Sequence, residues 1–422
     1  YDESIEVPQI VVPDVRRSMA VAAKLLSEDI LGDMKFAGVS GTNGKTTSCS
    51  LIESILITER QNAGVIGTLG YRALGEDREW QMSTHTTPEA PDLYRVLRAM
   101  HGEGVRTVVM EVSSHALVLD RVWGISFDVA AFTNLTQDHL DFHGSMDSYF
   151  EAKATLFDGL DNESVAVINI GDPYGVKLIK RCSAQVITFG ISDSADVSPR
   201  DIALDNGIQA VFDTPAGAVD VDMVLSGRFN LSNALAATAV ATALGISTDV
   251  IASGLKSAKP AAGRFERIGV DEQDIEIIVD YAHTPDALTN VLTTAKEMTQ
   301  GSLWVVVGCG GDRDRSKRPM MGAAATKNAD FTVITSDNPR TEEPDQIIDD
   351  MMAGIDGGSE VVRISDRRTA IGHAVSKAES RDVVVIAGKG HEPYIEIGTT
   401  QYPFDDRDEA REALAQRQKA VV

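Results

Sequence analysis

The sequence predicts an α/β fold whose sheets consist mainly of parallel strands. Short runs rich in Val and Ile alternate with stretches of helical pattern along nearly all of the 422 residues. Uninterrupted apolar runs of this kind are typical of strands buried on both faces, as in a parallel sheet covered by helices. A chain of this length favours two or three domains, each large enough to bury a core.

The clearest elements of this pattern are short strands separated by longer helices. Strands are predicted at 34–39, 107–112, 129–133, 165–169, 303–307, 331–335 and 383–387. Helices are predicted at 46–58, 91–100, 146–157, 231–244, 285–298 and 409–420. Strands that alternate with helices in this way indicate βαβ units.

Three units are predicted along the chain, at 1–34, 35–262 and 263–422. The first contains one predicted helix, too little for a core, and starts with Tyr1 rather than Met, so we expect it to be the end of a larger unit. Between about 190 and 226 the pattern shifts to short alternating segments, which indicates an antiparallel patch. The second boundary lies at 256–264, where Pro260 and Gly263 follow a predicted helix.

The composition excludes several classes of function. With 39 Lys and Arg against 63 Asp and Glu, the net charge is −24, which argues against general affinity for nucleic acid. An uncharged apolar run of about 18 residues does not occur, so we expect no insertion into membranes. Three cysteines without zinc-type spacing are too few for a disulfide framework and favour the cytoplasm.

A glycine-rich loop lies between the first predicted strand and the following helix. In such a loop, backbone N–H groups surround phosphate oxygens at a helix N-terminus. The lysine would reach the β- and γ-phosphates, and the hydroxyl after it would bind Mg²⁺. The two glycines are closer together than in the general pattern, so a plain strand-to-helix turn is the alternative. The candidate nucleotide-binding residues are Gly41, Thr42, Asn43, Gly44, Lys45, Thr46 and Thr47.

This loop resembles that of the Mur ligases and folylpolyglutamate synthetases, which form amide bonds with ATP. Further motifs narrow the resemblance to the Mur ligases that add the third residue of the peptidoglycan stem peptide. These motifs are Thr-Thr-Pro at 86–88, Glu-Val-Ser-Ser-His at 111–115, Asn-Leu-Thr-Gln-Asp-His-Leu-Asp at 134–141, Asp-Tyr-Ala-His-Thr-Pro-Asp at 280–286, Gly-Cys-Gly-Gly-Asp-Arg at 308–313, Asp-Asn-Pro-Arg at 337–340 and Gly-Lys-Gly-His-Glu at 388–392.

The resemblance covers about residues 8–415 and implies a specific architecture. Residues 35–262 would form a central P-loop ATPase domain with a mainly parallel sheet, and 263–422 a C-terminal Rossmann-like α/β domain that binds the amino acid. Residues 1–34 would be the remnant of an N-terminal UDP-binding domain and its linker. Because the ATP loop and the amino-acid loops lie on different domains, we expect closure about a hinge at 257–264.

The resemblance also implies the reaction. The D-glutamyl γ-carboxylate of UDP-N-acetylmuramoyl-L-alanyl-D-glutamate attacks the γ-phosphate of ATP and gives an acyl phosphate and ADP. The amine of a diamino acid then attacks the acyl carbon and phosphate leaves. Two Mg²⁺ ions would neutralise charge during these steps. The enzyme is expected to act as a cytoplasmic monomer.

The candidate catalytic residues are Lys45, Glu111, His139 and Lys153. Glu111 ends an apolar strand, where a side chain faces the ligand crevice, although a solvated surface acid is the alternative. His139 follows another strand, and a lone histidine is more often structural than a metal ligand. The resemblance implies that both residues serve a second magnesium site, besides the first site at Thr46.

Lys153 interrupts an apolar helix face that it shares with Tyr149, Leu156 and Leu160. A lysine there would snorkel to solvent, form an ion pair or change its chemistry. The resemblance implies the last of these, since the family carries a lysine carbamate formed with CO₂ at this position. We therefore predict that Lys153 is carbamylated (N6-carboxylysine) and helps to hold magnesium.

Contacts to the two larger substrates are implied by the resemblance. For the UDP-sugar dipeptide, the matching positions are Thr86, Thr87, Ser113 and Arg121. From the residues alone, Thr86 and Thr87 suit a turn, Ser113 suits a loop and Arg121 suits an exposed surface. Leu119 replaces a polar residue of several family members, so one polar contact is expected to be missing.

For adenine and ribose, the matching positions are Asn230, Arg264, Asp280 and His283. Asn230 equally suits the N-cap of a helix that begins at Leu231.

Three loops that follow predicted strands of the C-terminal domain are expected to meet at one sheet edge. Together they carry charges of both signs, which suits a zwitterion better than a plain anion. Arginine binds carboxylates in a bidentate fashion, whereas acids accept from ammonium groups. The charged residues grouped in this way are Arg313, Arg315, Lys317, Arg318, Asp337, Arg340, Lys389, His391 and Glu392.

In the family, Asp-Asn-Pro-Arg is associated with meso-diaminopimelate, whose second amino-acid end bears a carboxylate that lysine lacks. We predict this substrate over L-lysine. A folylpolyglutamate- or cyanophycin-type ligase is a further alternative, and a nucleotide-gated binding module is the alternative from another class. The candidate amino-acid-binding residues are Arg313, Asp337, Asn338, Pro339, Arg340, Gly388 and Glu392.

Overall fold

Two short helices precede the first sheet and pack against it. The computed structural model places them at α1 (Val15–Leu25) and α2 (Glu28–Leu31). Ala23 and Ile30 are buried in the core of the domain that follows, so the described part of this segment shares that core. Residues 1–3 and 5 of the predicted first unit lie outside the described residues. The structure describes residues 4, 6–60, 62–75, 78–204, 207–269 and 274–421.

The first sheet has seven strands in the order β3-β2-β4-β1-β5-β6-β7, and every neighbouring pair is parallel except β2 with β3. Its strands are β1 (Lys35–Ser40), β2 (Ala63–Gly67), β3 (Gly70–Ala73), β4 (Thr107–Glu111), β5 (Val129–Phe132), β6 (Val165–Asn169) and β7 (Gln185–Phe189). Its helices are α3 (Lys45–Thr58), α4 (Ala90–Gly102), α5 (Ser114–Val118), α6 (Leu140–His143), α7 (Met146–Asp158) and α8 (Pro173–Ile179).

The central position of β1 determines where ligands collect in this domain. The strand pairs with β4 on one side and β5 on the other, and the chain passes from one half of the sheet to the other at this point. Ligands of open α/β sheets bind at the carboxyl ends of strands beside such a switch point. Val39 pairs with Glu111, so the end of β4 lies beside the loop that follows β1.

A smaller antiparallel sheet and two helices complete this domain. Strands β8 (Ser198–Ala203), β9 (Ile208–Thr214) and β10 (Gly217–Met223) form the sheet, which confirms the expected antiparallel patch. Helices α9 (Arg228–Ala243) and α10 (Thr248–Ser257) follow. The hydrophobic core joins residues of α3, α9 and α10 to those of the small sheet.

The second large sheet has six strands in the order β11-β12-β16-β13-β14-β15, with antiparallel pairing only between β11 and β12. Its strands are β11 (Glu266–Ile268), β12 (Glu276–Asp280), β13 (Leu303–Val307), β14 (Phe331–Ile334), β15 (Glu360–Arg363) and β16 (Val383–Ala387). The helices on its two faces are α11 (Pro285–Met298), α12 (Lys317–Asn328), α13 (Pro344–Met352), α14 (Arg367–Lys377) and α15 (Asp406–Val421). A hairpin of β17 (Tyr394–Ile397) and β18 (Thr400–Pro403) precedes α15.

The register of the second sheet brings its loops together, as the sequence predicts. Ala387 at the end of β16 pairs with Asp280 of β12 and with Val307 of β13. Val307 pairs in turn with Ile334 of β14. The four loops after these strands therefore leave one edge of the sheet side by side. Among the helices that the structure describes, none is both long and apolar enough to cross a membrane.

Candidate active site

The glycine-rich loop after β1 is shaped by two close approaches. A Cβ atom at Gly41 would lie 1.9 Å from the hydroxyl oxygen of Thr133. Gly44 has φ +87°, and its Cβ would lie 2.3 Å from the amide oxygen of Asn233 on α9. Any larger residue would therefore strain the loop at both positions. The loop leads directly into the N-terminus of α3, whose partial positive charge favours phosphate.

Two lysine side chains converge on this loop. The Lys45 ammonium donates to the carbonyl oxygens of Gly41 and Thr42 at 3.0 and 2.9 Å. Lys153 on α7 donates to the same Gly41 carbonyl at 2.7 Å, and its Nζ lies 4.7 Å from the centre of the Tyr149 ring. Lys153 is only 1% exposed, so the snorkelling interpretation is wrong.

The surroundings of Lys153 disfavour a charged ammonium. Burial, followed by the nearby positive charge of Lys45, holds the pKa of Lys153 well below its usual range. Burial also lowers the pKa of Lys45, although the carboxylate of Glu111 acts in the opposite direction. A neutral amine is the form of lysine that acts as a nucleophile.

Glu111 at the end of β4 faces the nucleotide loop rather than solvent. It is 1% exposed, which rules out the interpretation as a solvated surface acid. Its carboxylate accepts from the Thr46 hydroxyl at 2.9 Å, and from the backbone N–H and the hydroxyl of Thr68 at 2.8 and 3.0 Å. Carboxylate and hydroxyl oxygens are the donors that Mg²⁺ prefers, so this pair fits the predicted cation.

His139 lies in the loop between β5 and α6. Its backbone is left-handed, with φ 53°, and its imidazole lies near the carboxylate of Asp138 at 3.4 Å. Burial lowers the pKa of His139 to about 3, so the ring is neutral and keeps a free lone pair. Within the described ranges, no three His, Cys, Asp or Glu side chains form a ready-made metal site. Phosphate or other oxygens would have to complete any magnesium shell here.

The residues predicted for the UDP-sugar dipeptide form one hydrogen-bonded group beside Glu111. The Thr87 hydroxyl donates to the Glu111 carbonyl at 2.8 Å and accepts from the Ser113 N–H at 3.1 Å. Arg121 donates to the Thr87 carbonyl at 3.1 Å and pairs with Glu89 at 2.8 Å. Arg121 is 6% exposed, so the surface interpretation is wrong for this residue.

Thr86 extends the same group, because its hydroxyl lies 3.2 Å from that of Thr68. The group therefore connects the predicted acceptor-binding residues to the Glu111 carboxylate through Thr68. Ser113 has a second role, because its hydroxyl accepts from the Ala116 N–H and caps α5.

Of the residues predicted for adenine and ribose, Arg264 reaches the phosphate loop. It donates to the Thr46 hydroxyl at 3.0 Å, and its guanidinium lies over the Tyr281 ring at 4.5 Å. Asp280 is occupied by the backbone, since its carboxylate accepts from the N–H groups of Phe265 and Ala282, both at 2.7 Å. Burial raises the pKa of Asp280.

Asn230 does not cap a helix. Helix α9 begins at Arg228, with Gly227 at the N-cap position, so the expected start at Leu231 is wrong by three residues. Asn230 lies inside the first turn, where its amide donates to the Ser226 carbonyl and accepts from Asn233. Asn233 was not predicted as a site residue, although its spacing of three from Asn230 on a helix indicates a shared face.

Contacts between the two large domains gather around the phosphate loop. The Asn43 amide donates to Asp286 at 2.9 Å, and Gln137 donates to Ser316 at 3.3 Å. Asp138 lies 3.6 Å from the His283 imidazole and 3.5 Å from the Lys317 ammonium. Lys317 therefore belongs to this interdomain cluster rather than to the amino-acid pocket in which it was grouped.

The loops after β14 and β16 form a buried polar cluster. The Asn338 amide donates to Glu392 at 2.8 Å and its oxygen accepts from Lys389 at 2.8 Å. Asp337 lies 3.9 Å from Lys389, and a Cβ at Gly388 would lie 2.5 Å from the Asp337 carboxylate. Burial tends to raise the pKa of Asp337, but the positive charges of Lys389 and Arg367 outweigh it and hold the pKa below its usual value.

The predicted carboxylate-binding arginines both approach Gly310. A Cβ at Gly310 would lie 3.0 Å from an Nη atom of Arg340 and 3.9 Å from Cγ of Arg313. Arg340, which follows Pro339, also pairs with Glu396 at 2.9 Å, and Arg313 is exposed. Two further arginines of the predicted group, Arg315 and Arg318, both pair with Glu342, and Arg318 also donates to the Gly310 carbonyl at 3.4 Å.

Comparison with known proteins decides the family. A model of the Mur ligase middle domain matches residues 39–241, and a model of the Mur ligase glutamate ligase domain matches residues 263–390. The chain belongs to the Mur ligase family. The predicted resemblance is therefore confirmed, and so is the predicted enzyme class, an ADP-forming ligase that makes amide bonds with ATP. Mur ligases use Mg²⁺ with ATP, in agreement with the oxygen donors at Thr46 and Glu111.

Curated Mur ligases resemble this chain along nearly its whole length. The UDP-N-acetylmuramoyl-L-alanyl-D-glutamate–2,6-diaminopimelate ligase of Gloeobacter violaceus is 47% identical over 412 residues, which are 97% of this chain and 83% of the relative. The protein of the same name from Geobacillus thermodenitrificans is 46% identical over 423 residues, which are 98% of this chain and 86% of the relative.

Solved structures of Mur ligases and related enzymes have the same fold. A UDP-N-acetylmuramoyl-L-alanyl-D-glutamate–2,6-diaminopimelate ligase is 37% identical, with a TM-score of 0.66 over 97% of this chain and 84% of the other. Folylpolyglutamate synthase of Mycobacterium tuberculosis complexed with ADP is 19% identical, with a TM-score of 0.74 over 88% and 91% of the two chains. The predicted P-loop ATPase domain and C-terminal Rossmann-like domain are thereby confirmed.

Proposed function

We propose that this Mur ligase joins meso-2,6-diaminopimelate to the D-glutamyl γ-carboxylate of UDP-N-acetylmuramoyl-L-alanyl-D-glutamate and forms ADP, in peptidoglycan synthesis. The name shared by the relatives at 46–47% identity supports both substrates. The observation that carries the proposal is the position of Glu111. Its carboxylate contacts the nucleotide loop at Thr46 and, through Thr68, the group around Thr86 and Thr87.

The first chemical step joins the acceptor carboxylate to the γ-phosphate of ATP. These two groups repel each other, so the site must neutralise charge and hold the oxygens in line. Lys45 and the N-terminus of α3 supply positive charge on the phosphate side. On the acceptor side, Arg121 holds the Thr87 carbonyl in place and Ser113 holds the Thr87 hydroxyl.

Thr46 would hold one magnesium ion, and Glu111 and His139, with Lys153, would hold a second; the two ions would supply Lewis-acid stabilisation of the phosphate oxygens. The hydroxyl and carboxylate oxygens of Thr46 and Glu111 suit a hard cation, and the neutral ring of His139 has a free lone pair. The ammonium of Lys153 has no lone pair, so this residue fits the donor set only after modification.

Carbamylation makes Lys153 a fitting member of this set. Addition of CO₂ to its neutral amine forms an N–C bond and releases one proton, so that a neutral group becomes an anion. The support is its 1% exposure and its position at the Gly41 carbonyl that Lys45 also contacts. The carbamate would also attract the Lys45 ammonium, whereas a protonated Lys153 would repel it.

In the second step, the amine of the diamino acid attacks the acyl carbon. Asp337 and Glu392 can accept hydrogen bonds from ammonium groups, and Arg313 and Arg340 beside Gly310 suit the distal carboxylate. This distal carboxylate distinguishes meso-diaminopimelate from L-lysine, the alternative amino acid. Folylpolyglutamate- and cyanophycin-type ligation is disfavoured by the same mixed-charge pocket.

The proposal places the reaction in the cytoplasm, on a monomer. The described cysteines Cys49, Cys182 and Cys309 are free thiols, as in reducing compartments. One chain supplies both halves of the site, because Arg264 of the C-terminal domain reaches Thr46 of the central domain. Light scattering of the purified chain tests the oligomeric state.

The function is tested by supplying the purified chain with ATP, Mg²⁺, UDP-N-acetylmuramoyl-L-alanyl-D-glutamate and single amino acids. ADP is expected to form in step with a new amide product, identified by mass spectrometry, and only when meso-diaminopimelate is present at low concentration. UDP-N-acetylmuramoyl-L-alanine, which lacks the γ-carboxylate, is the matched control. ADP formation without a new amide, or equal turnover of L-lysine, contradicts the proposal.

A further inference from the structure

Behind the amino-acid loops lies a fully buried ion pair that the proposed chemistry does not use. Arg367 is the first residue of α14 and is 1% exposed, and Asp406 is the first residue of α15 and is 0% exposed. Two parallel hydrogen bonds of 2.7 Å join the guanidinium to the carboxylate. Such bidentate pairs fix orientation as well as charge.

The remaining donors of this guanidinium hold the backbone on both sides of the pocket. Arg367 donates to the Ser336 carbonyl at 3.1 Å and to the Ala387 carbonyl at 3.0 Å. Ser336 directly precedes Asp337, and Ala387 directly precedes Gly388. One side chain therefore fixes the backbone directly before the predicted amino-acid-binding residues Asp337 and Gly388.

The same guanidinium also acts on a pocket side chain. It lies 3.9 Å from the Asp337 carboxylate, on which Lys389 also acts from 3.9 Å. Asp406 counters the charge of Arg367 through its two short bonds. Among the described residues, the carboxylates within 4 Å of the Arg367 guanidinium are those of Asp406 and Asp337. Without Asp406, only the carboxylate of Asp337 would remain.

We propose that Arg367, oriented by Asp406, is a positioning residue for the amino-acid pocket and thereby determines the affinity for the diamino acid. This inference rests on the proposed function, since it assigns the Asp337 and Gly388 loops to that substrate. The Arg367–Asp406 pair acts on the two loops and on the charge of Asp337 without contacting the substrate. The start of α15 is thus coupled to the pocket through a single side chain.

A lysine in place of Arg367 keeps the charge but has no planar fork, so it cannot hold Asp406 and both carbonyls together. Asp406→Asn keeps the shape but leaves Arg367 free to turn towards Asp337. Both variants should therefore weaken binding of the diamino acid and leave the nucleotide site intact.

The experiment measures KM for meso-diaminopimelate, ATP and the UDP-dipeptide separately, for the unaltered chain and for R367K and D406N. We expect KM for diaminopimelate to rise at least tenfold in both variants, while the other two KM values and kcat at saturating diaminopimelate stay within about threefold. Thermal melting accompanies each measurement.

Matched controls come from the same C-terminal helix. Arg417 pairs with Asp274 and donates to the carbonyls of Val375 and Ala378, away from the pocket. R417K and D274N should leave KM for diaminopimelate unchanged even if they lower the melting temperature.

The outcomes separate this inference from the proposed function. An unaltered chain that makes no ADP with diaminopimelate overturns both. If the unaltered chain is active, R367K and D406N can still keep its KM for diaminopimelate or change all three KM values equally. Either result overturns only the positioning role. If neither variant folds, the pair is merely structural and the positioning role is equally overturned.

Discussion

The side chains of Lys45 and Lys153 donate to the same oxygen atom, the carbonyl of Gly41, at 3.0 and 2.7 Å. Two ammonium groups that share one acceptor repel each other, and burial adds a desolvation cost for each charge. Lys153 is the more buried of the two and has the pKa that is held well below its usual range. The pair therefore favours loss of the Lys153 proton.

Carbamylation of Lys153 is the first prediction. Chain incubated with ¹³C-bicarbonate should show a carbamate carbon signal by NMR that is absent from K153A. Because only the neutral amine reacts with CO₂, the signal should weaken as the pH is lowered. K256A, which alters an exposed lysine paired with Asp222, should keep the signal. An unaltered chain without the signal at neutral pH contradicts carbamylation.

Removal of Lys45 should abolish the first chemical step. K45A is expected to slow ADP formation by about 10²–10³-fold, the usual loss when a group that stabilises transition-state charge is removed. The melting temperature should change little, because Lys45 contacts only loop carbonyls. K256A again serves as the control. Near-normal ADP release by K45A would refute the proposed role.

Arg340 should decide between diaminopimelate and lysine. R340A is expected to raise KM for diaminopimelate about 10- to 100-fold, the range of a lost hydrogen bond to a charged group, without changing KM for ATP. KM for L-lysine should stay unchanged, since lysine has no distal carboxylate. R315A is the matched control, because Arg315 pairs with Glu342. An equal rise in KM for both amino acids would show that Arg340 does not bind the distal carboxylate.

Gly263 should be essential for the packing of the predicted hinge at 257–264 on the C-terminal domain. Its φ is +64°, and a Cβ atom there would lie 2.2 Å from the His391 nitrogen and 2.3 Å from the Gly390 carbonyl carbon. G263A is expected to reduce ligation at least tenfold and to enlarge the radius of gyration, measured by X-ray scattering with an ATP analogue and the UDP-dipeptide. Gly245 has φ +78° with nothing within 4 Å, so G245A controls for backbone strain alone. A closed, active G263A would contradict the predicted hinge.

Stability should fall as the pH is lowered from about 6.5 to 4. Burial lowers the pKa of His143 to about 4 and those of His139 and His391 to about 3. In this window the unfolded chain binds protons that the folded chain does not, so protonation favours unfolding. Urea denaturation at pH 7, 6 and 5 should show this decline in the free energy of unfolding.

H143N tests the contribution of one ring. The slope of its unfolding free energy against pH should be smaller than that of the unaltered chain. The difference should correspond to at most one fewer proton bound on unfolding. Asn is too short to reach the Ser114 hydroxyl, which lies 2.9 Å from Nε2 of His143, but the loss of this contact is the same at every pH and leaves the slope unaffected. Identical slopes for the two proteins would contradict the proton uptake.

The local pattern of apolar residues was sufficient to predict the fold class and most of the secondary structure. The Val-rich run at Leu303–Val307 is buried at every position, so its strand follows from the apolar run alone. The predicted start of α9 was wrong because Asn230 has the side chain of a good N-cap. In the structure, Gly227 occupies the N-cap position and Asn230 accepts a hydrogen bond from Asn233. Capping is therefore decided by tertiary contacts when several polar residues compete.

Motifs and their spacing are enough to indicate the chemistry that each segment offers: a phosphate loop, an acid at a strand end, a lysine on an apolar face and loops of mixed charge. Which of these groups meet depends on the folded chain. Lys317 and Arg318 are neighbours in sequence, yet one approaches Asp138 of the other domain and the other pairs with Glu342. Arg367 and Asp406 have no sequence signal and still form the buried pair behind the pocket. The reason is physical: composition and spacing set which charges a chain carries, but desolvation and partner geometry depend on residues that are distant in sequence and adjacent only after folding.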